Sequence, residues 1–191
     1  MATGKSTVSN LFTRLLNAER FDSDRVAKEL LDADPEVKAE VKALFGTKVF
    51  DSTGNVERAM LRDIVFHDSE RRKRLEAILH PRIRERWTRL GEVFRSSERW
   101  FVVEVPLLFE TGAEQHCDVV IVVACRASTQ MNRMMNQRGL SAELAERMLR
   151  VQHDLGAKVG RAKHVIWSDS PVACVEEQAQ ILARYLQDCN G

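Results

Sequence analysis

Short apolar runs, rich in β-branched residues, alternate along this chain with stretches whose apolar positions recur every three to four residues. Trp100-Phe101-Val102-Val103-Glu104-Val105 reads as a buried strand, and residues 118–124 (Asp-Val-Val-Ile-Val-Val-Ala) as a stronger one. His164-Val165-Ile166-Trp167 is a third, and Glu19-Arg20-Phe21 a short fourth. The helical period is clearest after Lys5, where Val8, Leu11, Phe12, Leu15 and Leu16 share one face of a helix over 6–16. Asp34 followed by Pro35 is a cap with proline at the first helical position, so a helix is predicted over 35–45, ended by Gly46. Further helices are predicted over 56–66 and 69–79, then 82–95 after His80-Pro81. Another covers 128–137, broken by Gly139, and Ser141 caps one reaching about 153. The last runs over 171–186.

Strands that alternate with amphipathic helices imply a parallel sheet covered on both faces. The helical stretch from about 26 to 95 exceeds what one crossover needs, so it reads as a helical subdomain that can close over a second substrate. No linker rich in proline, glycine or serine divides the chain, and 191 residues suit one domain.

Charge removes some function classes. The chain has 29 basic and 28 acidic residues, formal net +1, without the basic excess of a nucleic-acid binder. The run Glu70-Arg71-Arg72-Lys73-Arg74 reads as a solvated helix face. No apolar stretch approaches the ~20 residues that span a bilayer, and no signal pattern opens the chain. Cys117, Cys125, Cys174 and Cys189 are widely spaced without a CxxC pair, as in a reducing cytoplasm, and no structural metal is expected.

The candidate chemistry begins at Thr3-Gly4-Lys5-Ser6-Thr7, at the mouth of the first helix. Backbone N–H groups and the helix dipole there suit phosphate oxygens. Lys5 would bridge β- and γ-phosphates, and the Ser6 hydroxyl would ligate Mg2+. A helix cap with a solvated lysine is the structural alternative. Asp22 and Asp24, two apart at a strand end, are expected to project to one side, where a carboxylate can take a proton from an attacking hydroxyl. Asp24 is the first choice for that base and Asp22 the second; turn or cap aspartates are the alternative. Glu104 at the end of its strand could steady magnesium through water, or simply face solvent. Arg133 and Arg138 flank a helix end and Arg147 lies on the next helix, a hairpin that could fold over a triphosphate, with Arg138 favoured; ordinary surface arginine is the alternative.

Taken together, these motifs resemble the dephospho-CoA kinase family. Gly4-Lys5-Ser6-Thr7 matches the end of its phosphate loop and Asp22-Ser23-Asp24 its D-x-D. Leu79-His80-Pro81 with Ile83 matches L-H-P-x-I, and Glu104-Val105-Pro106-Leu107-Leu108-Phe109-Glu110 matches the most specific segment, acidic-x-P-L-L-F-E. Gln130, Arg133, Arg138, Arg147 and Gln152 match its lid region. The resemblance implies a three-layer α/β P-loop kinase fold in one domain: a nucleotide core (about 1–25, 99–126 and 160–191), a helical acceptor-binding insertion (about 26–98) and a short helical lid (about 127–159). It implies transfer of a phosphoryl group from ATP, with Mg2+, to the ribose 3′-hydroxyl of dephospho-CoA, the final step of coenzyme A biosynthesis. Thr3, Gly4, Lys5, Ser6, Thr7, Arg133 and Arg138 would hold ATP. Asp24, Asp22, Lys5 and Arg138 would serve catalysis. Asp24, His80, Pro81, Arg82, Pro106, Leu107, Leu108 and Glu110 would face the acceptor. Partners would be ATP and dephospho-CoA, without nucleic acid or membrane, in a cytoplasmic monomer or weak homo-oligomer. The alternatives are another P-loop small-molecule or nucleoside-monophosphate kinase, or an inactive nucleotide-binding relic.

Three departures stand out. The phosphate-loop pattern G-x-x-x-x-G-K-[ST] calls for a glycine five residues before Gly4, which lies before Met1. The family's first strand, central in a sheet of order 2-3-1-4-5, would precede it, leaving the strands near Trp100 and Asp118 with open inner edges. A translated start about ten residues earlier is therefore expected, because parallel sheets are buried structures. The present length alone would weaken ATP affinity and stability. Ala162-Lys163 stands where Ala-Asp is usual, and Trp167-Ser168-Asp169-Ser170 lacks the usual asparagine, which bears on the adenine side.

Overall fold

The computed structural model describes residues 2–105, 107–137, 139–150 and 154–189. They form two compact units, residues 1–21 with 93–191 and residues 22–92.

The first unit holds α1 (Lys5–Leu15), all but the last residue of β1 (Glu19–Asp22), β2 (Phe101–Glu104), β3 (Ile121–Ala124) and α6 (Ala127–Asn132). It also holds α7 (Ala142–Arg150), α8 (Leu155–Arg161), β4 (His164–Trp167) and α9 (Val172–Cys189). Val8, Leu11, Phe12 and Leu16 at the first helix pack with Val175, Ala179, Ala183 and Leu186 of α9 against Val123 and Ile166. The small Ala179 and Ala183, both almost fully buried, leave room for the larger partners. On the opposite face, Val122 and Ala124 pack with Phe109, Leu155 and Val159. Val122 and Val123 thus bury on opposite faces, as the twofold strand period requires, each worth roughly 1.5–3 kcal/mol on burial.

The strands form two pairs, β1 with β2 and β3 with β4. Among the described residues no ladder joins β2 to β3. The β3–β4 pair is parallel, with Ile121 opposite His164 and Ala124 opposite Trp167. Val120 and Ala124 carbonyls accept from His164 and Ser168 N–H groups. Ile121 and Val123 therefore turn their backbone groups to the other edge. The outer edge of β4 is covered by Gln178, whose amide accepts from the Trp167 N–H at 2.9 Å and donates to its carbonyl at 3.0 Å.

The second unit holds α2 (Ser23–Ala33), α3 (Pro35–Phe45), α4 (Arg58–His67) and most of α5 (Ser69–Ser96). The α3 bounds match the sequence reading: Asp34 accepts from Glu36 and Val37 N–H groups, Pro35 opens the helix and Gly46 at φ 79° ends it.

Four expectations are corrected. Residues 69–95 do not break at Pro81; α5 is continuous, with Pro81 inside. Leu75, Leu79, Ile83 and Trp87 form one buried stripe through it, and that burial outweighs the roughly 3 kcal/mol cost of an internal proline. Arg82 Nη1 also donates to the Ile78 carbonyl at 2.9 Å. Second, β1 ends at Asp22 and α2 begins at Ser23, so Asp22 and Asp24 are not two strand residues sharing a side. The change of period between them comes from Asp22 acting as the α2 cap. Third, the helix predicted over 128–137 ends at Asn132 and gives way to a π turn, Arg133–Gln137. Fourth, α8 was not foreseen: its N-cap, Asp154, precedes only seven residues, and Gly156 and Gly160 within them mask the helical signal.

Candidate active site

Gly4 is the N-cap of α1 at φ 84°, in the left-handed region that favours glycine, and it turns the chain so that the first helical N–H groups open at the loop. Thr3 is buried, Lys5 half-buried, and Ser6 and Thr7 are exposed. The Ser6 hydroxyl donates to Glu104 Oε1 at 2.8 Å. The two residues singled out for magnesium, 98 positions apart, therefore meet at one point. Arg20 Nη2 reaches Glu104 Oε2 at 3.3 Å, while its Nη1 donates to Asn10 Oδ1 at 2.7 Å. The carboxylate of Glu104, only 15 % exposed, is thereby gripped from both sides.

Beside this point lies a cavity of about 240 Å3. Val120, Ile121, Val122 and Val123 all line it. Consecutive strand residues point to opposite faces, so a space touching all four runs along the edge of β3 away from β4. Thr3, Lys5, Gln130, Asp154 and Lys158 supply its polar groups, and Val105, Leu108 and Phe109 face it as well.

Arg133 opens the π turn and donates to Ser168 twice, Nη1 to the hydroxyl at 2.9 Å and Nη2 to the carbonyl at 2.5 Å. The Ser168 hydroxyl in turn donates to the Thr3 carbonyl at 2.8 Å. Asp169 accepts from the Arg126 N–H at 2.9 and 3.1 Å, at the start of α6. Hydrogen bonds from Thr129 and from that backbone N–H hold its carboxyl below the usual range.

The sequence profile of the dephospho-CoA kinase family matches residues 1–173. The chain belongs to this family. It is 33 % identical over 185 residues to a dephospho-CoA kinase of Bacillus cereus, covering 96 % of this chain and 92 % of that one. A dephospho-CoA kinase of Moorella thermoacetica is 38 % identical over 194 residues, 98 % of this chain and 91 % of its own. Among solved structures, TT1252 from Thermus thermophilus superposes with TM-score 0.76 at 31 % identity, covering 100 % of this chain and 94 % of that one. Dephospho-CoA kinase from Campylobacter jejuni gives 0.73 at 26 % identity, covering 100 % and 95 %. The α/β P-loop kinase fold implied by the motifs is thus the fold of this chain.

The remaining family positions in this kinase-family chain divide by unit. In the first, Leu107 and Thr111 close a helical turn, with Leu108 at the cavity. Glu110 binds Lys158 at 2.7 Å, with both side chains nearly buried, so this acceptor candidate is already engaged by α8. In the second, Asp22 accepts from the Arg25 N–H at 3.0 Å as the α2 cap, while Asp24 stands exposed in the first helical turn. Arg82 binds Glu40 at 2.6 Å and Glu36 at 3.7 Å, joining α5 to α3. His80, next to Pro81, is held below the ordinary histidine pKa by burial; Glu76 opposes that shift and Arg84 adds to it. Pro106, Arg138 and Gln152 lie outside the described residues.

Sequence reasoning missed Arg20, Lys158 and the linking role of Ser168. A single arginine on a strand carries no local signal of the glutamate it will meet. Ser168 was marked only as a departure from the family pattern.

Proposed function

We propose that this chain transfers the γ-phosphoryl group of ATP to the ribose 3′-hydroxyl of dephospho-CoA, forming CoA and ADP. The bond from the γ-phosphorus to the bridging oxygen breaks, a bond to the ribose oxygen forms, and the hydroxyl proton leaves to a carboxylate. The observation that carries this reading is the Ser6–Glu104 contact at the mouth of α1 in a chain of this family.

Lys5 and the N–H groups after Gly4 hold the phosphates. The hydroxyl of Ser6 and the carboxylate of Glu104 are hard oxygen donors 2.8 Å apart, a set that suits Mg2+ bound through one or two protein oxygens with water and phosphate completing the shell. Held by Ser6 and Glu104, Mg2+ would supply charge neutralisation for the phosphates. Thr3, Thr7, Arg133 and Arg138 belong to the ATP side of the proposal. Of the two aspartates, Asp24 is the better base, because Asp22 already accepts a backbone N–H as the helix cap. His80, Pro81, Arg82, Pro106, Leu107 and Leu108 remain on the acceptor side, whereas Glu110 supports the site through Lys158. No helix among the described residues is long and apolar enough to cross a membrane. A cytoplasmic setting, as monomer or weak homo-oligomer, is part of the same proposal.

The test is Asp24→Asn, assayed with ATP and dephospho-CoA. Turnover should fall by roughly 10²–10⁴-fold while ATP binding persists. Turnover within tenfold of wild type would show that Asp24 is not the base. Faster phosphorylation of nucleoside monophosphates than of dephospho-CoA by the wild-type chain would overturn the acceptor.

A further inference from the structure

Three segments distant in sequence meet at Ser168. Its backbone N–H donates to the Ala124 carbonyl at 2.8 Å, which anchors it as the last rung of the β3–β4 ladder. Its hydroxyl has one proton, and that proton goes to the Thr3 carbonyl. The lone pairs are left to accept Arg133 Nη1, while Nη2 of the same guanidinium takes the Ser168 carbonyl. The hydroxyl therefore has no second orientation that keeps both partners. The residue is 5 % exposed, so water is a poor substitute for either bond. Gly4 packs against it: a Cβ there would lie 3.6 Å from both the Ser168 Cβ and Oγ.

We infer that Ser168 is a positioning residue for the nucleotide, holding the Arg133 guanidinium and the Thr3 carbonyl together so that the phosphate loop and the charge beside it are set before ATP arrives. Arg133 is fixed by a two-pronged contact, and a guanidinium held this way keeps its remaining donors aimed. Pinning the Thr3 carbonyl fixes the peptide that leads into Gly4 and the first N–H groups of α1. Asp169, the next residue, holds the start of α6, so one rigid strand end organises both the loop and the segment that carries Arg133. Preorganisation of this kind is felt as affinity for the phosphates, not as affinity for the acceptor.

The inference rests on the ATP-site reading above, and the experiment separates the two. Mg-ATP binding by calorimetry and steady-state kinetics with dephospho-CoA are compared for wild type, Ser168→Ala, Arg133→Ala and the double variant. Ser168→Ala should raise the ATP Kd and KM about ten- to 150-fold, the loss expected for hydrogen bonds to a charged group. The dephospho-CoA KM should stay within about twofold. Because Ser168 acts partly through Arg133 and partly through the Thr3 carbonyl, the double variant should bind ATP more weakly than Arg133→Ala alone, but by less than the product of the two single effects. Ser168→Thr, which keeps the hydroxyl, should restore most of the affinity. ATP Kd within twofold of wild type, or fully additive effects in the double variant, would overturn the inference. Should Ser168→Ala not fold, Ser168→Cys, similar in shape but a weak hydrogen-bonding group, replaces it in the same cycle with the same criteria. A wild-type chain that binds no ATP would sink the functional reading itself.

Discussion

Lys158→Met is the change whose size the structure defines best. Lys158 Nζ lies 2.7 Å from Glu110 Oε1, with side chains 13 % and 12 % exposed. The pair ties α8 to the segment after β2, and a second pair, Arg161 with Glu114, ties the same helix one turn further on. Arg161 also sits 4.7 Å over the Phe109 ring. Removing one member of a buried pair leaves a charge with lost compensation, which costs about 3–5 kcal/mol when burial is complete. The residual exposure reduces this to roughly 2–3 kcal/mol. Desolvation offsets much of the attraction, so removing both charges should cost less than either single change. Thus Lys158→Met and Glu110→Gln should each lose about 2–3 kcal/mol, and the double variant about 1 kcal/mol. At roughly 2–4 °C per kcal/mol for a chain of this size, each single variant should melt about 4–12 °C lower. Urea unfolding with a common m value gives the cycle directly. Arg89→Met, at an exposed pair where the side chains are 77 % and 68 % exposed, should cost less than about 0.5 kcal/mol. Single changes at Lys158 or Glu110 costing under 1 kcal/mol, or adding without coupling, would refute the argument.

His80 predicts an acid-side loss of stability. Its folded pKa lies below the ordinary 6.5 because burial disfavours the charged ring. The unfolded chain therefore binds a proton that the folded chain resists. Stability falls as pH drops through about 6.5 and levels off below the folded pKa, with a slope of at most about 1.4 kcal/mol per pH unit for this group. Urea midpoints between pH 7.5 and 5 should fall less steeply for His80→Gln than for wild type, and parallel curves would reject the assignment. Glu98 follows the end of α5 at φ 54°, a conformation that costs a non-glycine residue about 1–2 kcal/mol. Glu98→Gly should gain roughly 0.5–1 kcal/mol after the entropy cost of glycine, raising Tm by about 1–4 °C. A lower Tm in calorimetry would show that the turn prefers a side chain.

Much of the local structure was legible because the forces that set it are local. Asp34-Pro35 and Gly46 bounded α3 through capping and positive φ, and the apolar run 164–167 was β4 to the residue. The phosphate loop, the D-x-D and the P-L-L-F-E segment named the family, since each is a short motif with its own chemistry. Legibility failed where a neighbour distant in sequence decided the outcome. Pro81 signalled a break, and only the buried stripe from Leu75 to Trp87 kept α5 whole. Asp22 and Asp24 looked like a strand pair until Asp22 became a cap.

By itself, then, the sequence determined most of the elements, their order and the reaction class, because periodicity, caps and motif spacing act over a few residues. The tertiary structure alone decided which side chains meet: Ser6 with Glu104 across 98 positions, and Ser168 with Thr3 across 165. It also decided that the strands stand as two pairs. Such partners are chosen by packing and hydrogen-bond geometry in three dimensions, where separation along the chain leaves no periodic trace.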